Sequence, residues 1–247
     1  MTRLRPSAFL GLVLALGFGA PGAAQNATEL LGSAWLFGSA PCLVLRLELS
    51  IEEQGGTRKR EVELSLDRRG GRSLSFSRVT SPAFLSDMKF LKRIEPGKPE
   101  AQWVKTSKGL RRFGEGNGGE AVFGSHFTVE DFGAVMGGGF ELSLAPELDT
   151  GAELAVLARP LRAATYADRV IYIARADGLI MRMDYRDAAG KALRRYRVLD
   201  IAGTGAARHP AAAVMEDLAR GGSTAVKVLA FETPATLPER LFNPGGL

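Results

Sequence analysis

The sequence is poor in the residues that build metal and redox sites. Its 247 residues include one cysteine, Cys42, and two histidines, His126 and His209. A lone cysteine closes no intramolecular disulfide, which excludes a disulfide scaffold. Cys42 follows Pro41 and lies well past the apolar N-terminal stretch, too late for a lipid-modified cysteine. It reads instead as a small buried hydrophobe at the start of a strand. The two histidines are far apart, and there is no HExxH, Cys/His cluster or spaced acidic calcium loop. No metal and no cofactor is therefore expected. A GxSxG elbow and a phosphate-binding Gly-Lys-Ser/Thr loop are also missing. Charge of one sign is scarce too. Lys plus Arg is 32 and Asp plus Glu is 27, a net charge of +5. Arg3 and Arg5 supply two of those positive charges, and the remainder does not argue for nucleic acid.

Long apolar runs are absent beyond the N-terminus. Met1–Pro6 carries Arg3 and Arg5 and no acid, and Phe9–Ala20 (FLGLVLALGFGA) is almost wholly apolar. A helix of that length rises about 18 Å, short of a hydrocarbon core of about 30 Å. Small residues follow at Gly22, Ala23 and Ala24. The pattern predicts a secretory signal peptide over residues 1–24, cleaved near Ala24, and an exported chain of residues 25–247. With 45% hydrophobic, 24% charged and 8% aromatic residues, that chain has an ordinary globular composition. It shows no internal linker and reads as one domain.

Most of it alternates with period two. Leu43, Leu45, Leu47, Leu49 and Ile51 alternate with Arg46, Glu48 and Ser50, and Val62, Leu64 and Leu66 with Glu61, Glu63 and Ser65. This is the signature of strands with one buried and one wet face. Gln54–Gly56 and Asp67–Arg72 are turn sequences, and Leu74, Phe76, Met88, Phe90 and Ile94 continue the pattern. Gly109 predicts a hairpin between Trp103–Val104 and Leu110–Phe113. Asp177–Gly178 predicts another between Val170–Ala174 and Leu179–Tyr185. Leu193–Ile201 and Val226–Phe231 are further strands. Short helices are predicted at Ala27–Trp35, at Thr128–Met136 and at Pro210–Leu218. The second has Asp131 at capping-box spacing from Thr128. The third has an initial Pro and Ala-rich composition. Successive hairpins give an antiparallel meander with one face buried. The expected class is α+β, a large curved antiparallel sheet with a few small helices.

Little in the chain suggests catalysis. Ser125, His126 and Asp131 invite a triad, but neighbours in an extended segment point apart. Asp131 is better explained as an acid at a helix start. No catalytic residue is assigned. The basic clusters at Arg58–Arg60, Arg68–Arg69, Lys92–Arg93, Arg111–Arg112 and Arg194–Arg195 are short, and solvated strand faces account for most of them; contact with anionic headgroups or an acidic partner is the other reading. Large rings are concentrated at Phe90, Trp103, Phe113, Phe123, Phe127, Phe132 and Phe140. Two readings stand for them. They fill the core of the curved sheet, or they surround a greasy cavity for a lipid.

The stretch Met88–Phe132 ends in AQWVKTSKGLRRFGEGNGGEAVFGSHFTVEDF. It resembles the outer-membrane lipoprotein-sorting protein-like family of the LolA-like superfamily, whose pattern is "QWVY.P..RR" followed by "GSDFTYEDL". The matching residues are Gln102, Trp103, Leu110, Arg111, Arg112, Phe123, Gly124, Ser125, Phe127, Thr128, Glu130, Asp131 and Phe132. Phe242–Pro244 with Leu247 resembles the family's closing "F.P..L". The resemblance covers roughly residues 85–247, and His126 departs from it where the family often has an acid. It implies an unclosed antiparallel β-barrel of LolA/LolB type, with short helices plugging the concave side. It further implies a periplasmic, non-enzymatic carrier that binds lipid or lipoprotein acyl chains. Some relatives serve membrane exporters of the resistance-nodulation-division type, and others use the fold to bind a partner protein. On this resemblance Phe90, Trp103, Phe123, Phe127 and Phe132 are expected to line or lid the cavity. Gly124, Ser125 and Asp131 would shape its loop, and Arg111 and Arg112 would meet a headgroup or a partner.

Overall fold

The computed structural model describes residues 26–113, 118–131, 139–161 and 164–247. The expected signal peptide lies outside them. A short helix α1 (Ala27–Ser33) opens the described chain. It has a full capping box: Asn26 Oδ1 accepts from the Glu29 amide at 2.8 Å, and Glu29 Oε2 accepts from the Asn26 amide. Thirteen strands follow: β1 (Cys42–Glu53), β2 (Gly56–Asp67), β3 (Ser73–Ser81), β4 (Lys89–Ile94), β5 (Ala101–Thr106), β6 (Gly109–Arg112), β7 (Phe140–Leu144), β8 (Glu153–Pro160), β9 (Asp168–Ala174), β10 (Ile180–Arg186), β11 (Ala192–Ala202), β12 (His209–Asp217) and β13 (Ser223–Glu232). All neighbours are antiparallel, in the order β6-β5-β4-β3-β2-β1-β13-β12-β11-β10-β9-β8-β7. Two meanders are therefore joined where the first strand pairs with the last, Leu49 opposite Val226 and Leu47 opposite Val228. The sheet is not closed, and its free edges are β6 and β7. Among the described residues, α1 is the one α-helix, and no helix is long and apolar enough to cross a membrane.

One face of this sheet is inner. The odd positions of β1, Leu43 to Ile51, are all buried there, as the alternation predicts. They share one apolar cluster with Val62 and Leu64 of β2, Val156 and Ala158 of β8, Ile171 and Ile173 of β9, Met183 and Tyr185 of β10, and Val226 of β13. Residues Leu30 and Leu31 of α1 pack into the same cluster, so the helix covers part of the inner face. The outer face is covered in two places. The C-terminal segment seats Leu237 and Phe242 over Cys42, Leu74, Phe76 and Leu91. A turn at Ala145–Leu148 packs on Ala155, Val170 and Tyr172.

Two expectations are corrected. Pro210–Leu218 is strand β12, not a helix. Its Ala residues favour a helix by only tenths of a kcal/mol each, whereas a strand here pairs with both β11 and β13. Pro210 is tolerated because the ladder to β13 begins at Ala212. At Thr128 the chain is in a bridge with Ala121 and then turns through Asp131; the remainder of that predicted helix lies outside the described residues. Asp131 still plays half of the expected capping role, since its Oδ2 accepts from the Thr128 amide at 2.6 Å.

The turn from β12 to β13 fits tightly under the next element. Gly222 has φ +93°, and a Cβ there would stand 2.7 Å from Glu52 O and 2.7 Å from His126 Nε2. Gly222→Ala is expected to cost about 2–3 kcal/mol, from a left-handed residue plus displacement of His126. Denaturant unfolding measures this, and an unchanged midpoint would contradict it.

Candidate lipid-binding pocket

Within the segment between the sheet's two free edges, residues 118–131 fold back over the inner face. Residues 118–131 form a small hairpin. Val129 N donates to Glu120 O at 3.0 Å, Val122 N to Phe127 O at 2.8 Å and Ser125 N to Val122 O at 3.0 Å. Phe123 (φ 54°) and Gly124 (φ 65°) occupy the two central positions of the tip. Positive φ at both positions is the signature of a type I′ turn, which suits Asn-Gly far better than Phe-Gly. Phe123 is the one non-glycine residue with positive φ among those described. That conformation costs about 1–2 kcal/mol. The turn thereby drives the Phe123 ring inward, where it is 6% exposed.

Polar contacts latch this hairpin to the sheet. Arg194 of β11 donates through Nη2 to Asp131 Oδ2 at 2.6 Å and to His126 O at 2.5 Å. The His126 amide donates to Thr224 Oγ1 at 3.0 Å, and Thr224 Oγ1 lies 2.9 Å from His126 Nδ1. Arg111 of β6 forms an ion pair with Glu120, with its Nη1 3.0 Å from Oε1. Burial raises the Glu130 carboxyl, which accepts from Thr165 Oγ1 at 2.8 Å. Burial also lowers the Lys92 amine to about 8, against the opposing pull of Glu100.

Between hairpin and sheet lies an apolar pocket. Phe37, Leu47, Leu49, Val62, Leu64, Ser77 and Val226 form its wall, and Val122, Phe123, Ser125 and Phe127 its cover. The recess encloses about 430 Å³ of empty space, open solvent at its mouth included. Phe123 and Phe127 close one side of the recess.

The residues singled out in the sequence fall into distinct places. Phe123 and Phe127 cover the pocket. Phe90 is on the inner face, 2% exposed and 5.9 Å from the Phe113 ring, but is not part of the wall. Phe132 lies outside the described residues. Trp103 is opposite Leu91 in the β4–β5 ladder and packs with it on the outer face, so the strand register separates it from the pocket. Gly124 and Ser125 make the turn. The Ser125 hydroxyl donates to Val122 O at 2.6 Å and accepts from the Phe127 amide at 3.2 Å, a structural use. Ser125, His126 and Asp131 each engage other partners. Arg111 meets Glu120, and Arg112 stacks on Trp103 with its Cζ 5.6 Å from the ring. The β1, β2 and β13 wall and the Arg194 latch were not singled out. Alternation had marked the wall as buried, but nothing in the sequence says which part faces the hairpin.

Residues 71–247 match a protein family described as "Uncharacterized protein". The fold is shared with three solved structures. One is described as an outer membrane lipoprotein-sorting protein domain from Vibrio parahaemolyticus, with TM-score 0.76, 16% identity, and coverage of 89% of this chain and 95% of that one. A LolA superfamily protein from Nitrosomonas europaea has TM-score 0.68, 13% identity, and coverage of 91% and 100%. The chain belongs to the family whose model it matches, and it has the LolA-like fold. A DUF1329 family protein from Desulfovibrio piger, with TM-score 0.72, 15% identity and coverage of 83% and 90%, shares the LolA-like fold. No curated protein matches the sequence. The unclosed sheet of this LolA-like chain, with its inner face covered by α1 and the hairpin, agrees with the architecture that the sequence resemblance implied.

Proposed function

We propose that this LolA-like protein is a carrier or chaperone for acyl chains of lipids or lipoproteins. It works in the periplasm after loss of residues 1–24 and hands its cargo to a receiving partner, a membrane exporter of the resistance-nodulation-division type. The observation that carries the reading is the pocket. Among the described residues its only polar lining residues are Ser77 and Ser125, and its cover is held both by apolar packing against the inner face and by the Arg194 latch. The fold shared with the lipoprotein-sorting domain supports it. Each buried methylene contributes about 0.8 kcal/mol, so a chain of a dozen methylenes supplies enough free energy to hold the hairpin open. The same term opposes release, which is why a receiving site is needed. Ser125 shapes the cover, and the protein performs no covalent step on its cargo.

Fluorescence titration with cis-parinaric acid tests this. Saturable binding at one site is expected. Ser77→Phe fills the recess from β3 and is expected to weaken binding at least tenfold while thermal unfolding shifts by a few degrees only. Absence of saturable binding to the native protein would overturn the carrier reading and favour a module that uses the same fold to bind a partner protein.

A further inference from the structure

Arg169 of β9 is fully buried at 0% exposure. Its side chain points to the inner face, as do Ile171 and Ile173 of the same strand. Among the described residues no carboxylate forms an ion pair with it. Its Nη2 donates to Tyr166 Oη, while Nε and Nη1 have no acceptor. The guanidinium sits among three rings, 4.5 Å from the Phe140 centroid, 4.9 Å from Tyr166 and 5.1 Å from Tyr185. Such rings offset part of the desolvation of a cation but accept no strong hydrogen bond from it. A buried guanidinium normally has a carboxylate.

The register places this group beside other polar ones. Tyr185 is opposite Arg169 in the β9–β10 ladder and opposite Arg194 in the β10–β11 ladder. The hydroxyls of Tyr185 and Tyr196 are also buried without partners. Asp131 is neutralised by Arg194, and Glu130 is held by Thr165. Lys92 and Arg194 lie within electrostatic range as further cations, and Lys92 is paired with Glu100. Among the described residues here, the unmet donors are Arg169 Nε and Nη1 and the two tyrosine hydroxyls, against one unmet acceptor, Asp131 Oδ1, so the balance favours donation to an anion. The strand register brings it near the pocket cover: the Phe127 ring, which covers the pocket, is 6.4 Å from Tyr196, and Tyr196 is opposite Met183, two residues from Tyr185 on the same face of β10.

We infer that Arg169, with the Tyr185 hydroxyl beside it, binds the anionic head of an amphiphile, a carboxylate or a phosphate, whose chain occupies the pocket. The inference rests on the carrier reading and narrows it to anionic single-chain amphiphiles. A charge-assisted bond to a guanidinium is short and strong, and stronger where water is excluded.

The test compares palmitate, hexadecyl phosphate and 1-hexadecanol, which share a chain and differ in the head, as competitors of cis-parinaric acid. Palmitate or hexadecyl phosphate is expected to bind at least tenfold more tightly than the alcohol, and whichever binds more tightly identifies the head. Arg169→Met is expected to remove that preference while leaving the alcohol's affinity unchanged, and Arg169→Lys to restore part of it. Equal affinity of all three for the native protein overturns the inference and leaves the carrier reading intact. A preference that survives in Arg169→Met overturns it too, since the head is then held elsewhere. If none of the three binds, both readings fall. Should Arg169→Met not fold, the native protein decides: the carboxyl signal of carbon-13-labelled palmitate is expected to stay ionised at a pH where the free acid is protonated. Ordinary titration of the bound carboxyl overturns the inference.

Discussion

Replacing Arg194 by methionine is expected to destabilise the protein by about 3–5 kcal/mol and to release the hairpin that covers the pocket. The Asp131 side chain is 2% exposed, and among the described residues Arg194, itself 13% exposed, is its one cationic partner. Without the guanidinium a carboxylate remains buried and unpaired, the costliest form of a broken ion pair. The His126 carbonyl loses its donor as well. A double variant, Arg194→Met with Asp131→Leu, is expected to recover much of the loss, because the orphaned charge goes with its partner. Hydrogen exchange at the amides of residues 122–131 reads the latch directly. Those amides are expected to exchange faster in Arg194→Met, relative to the amides of β1, and cis-parinaric acid to associate faster. Unchanged protection of the hairpin in the folded variant would show that apolar packing alone closes the pocket.

Asp67→Asn is expected to cost about 2–3 kcal/mol at neutral pH, through the outer face. Asp67 is fully buried at the end of β2. Its Oδ1 accepts from Arg69 Nε and from the Arg69 amide at 3.0 Å, and its Oδ2 from Arg69 Nη2 at 2.6 Å and Arg72 Nη2 at 2.7 Å. Arg72 continues to Glu239, which ties the network to the C-terminal segment. The cost sits below that of Arg194→Met because both arginines reach water and can be hydrated once the carboxylate is gone. The hydrogen bonds from Arg69 hold the Asp67 carboxyl well below its usual range, against the opposing effect of burial. A carboxyl lowered on folding stabilises the native state above its unfolded pKa, near 3.9, and that contribution is lost as pH falls through the folded value. The native protein is thus expected to lose stability below about pH 4. Asp67→Asn should lose less over the same interval. Parallel pH profiles of the two proteins would remove Asp67 from the account.

The inner face was readable from alternation because β1, β2 and β13 are buried on one side and wet on the other for much of their length. β8 defeated the same reasoning. Its Ala155 and Leu157 pack under the Ala145–Leu148 turn while Val156 and Ala158 face inward, so both sides are apolar and period two disappears. β12 was read as a helix because composition speaks for local propensity, and only the pairing of the first strand with the last creates the slot it fills. For the site, the motif led to Phe123, Gly124, Ser125 and Phe127, which the turn holds together in sequence. Trp103 came from the same motif but lies on the outer face, because its register against Leu91, and not its composition, sets its side. Arg169 carried no signal of its own, and Arg194 stood out only as part of a basic cluster whose first reading was a solvated strand face. Each sits in a strand that also presents charges to water, and burial comes only with the hairpin and the neighbouring tyrosines.

The central claim is that the inner face holds an acyl chain, and native mass spectrometry of the mature protein purified from the periplasm, with organic extraction of what it carries, tests it most directly. The account predicts one bound amphiphile per protein, with a single acyl chain and an anionic head, released when the protein is unfolded. A protein that arrives at its bare mass, yields no lipid on extraction and takes up neither added palmitate nor lipoprotein would contradict it.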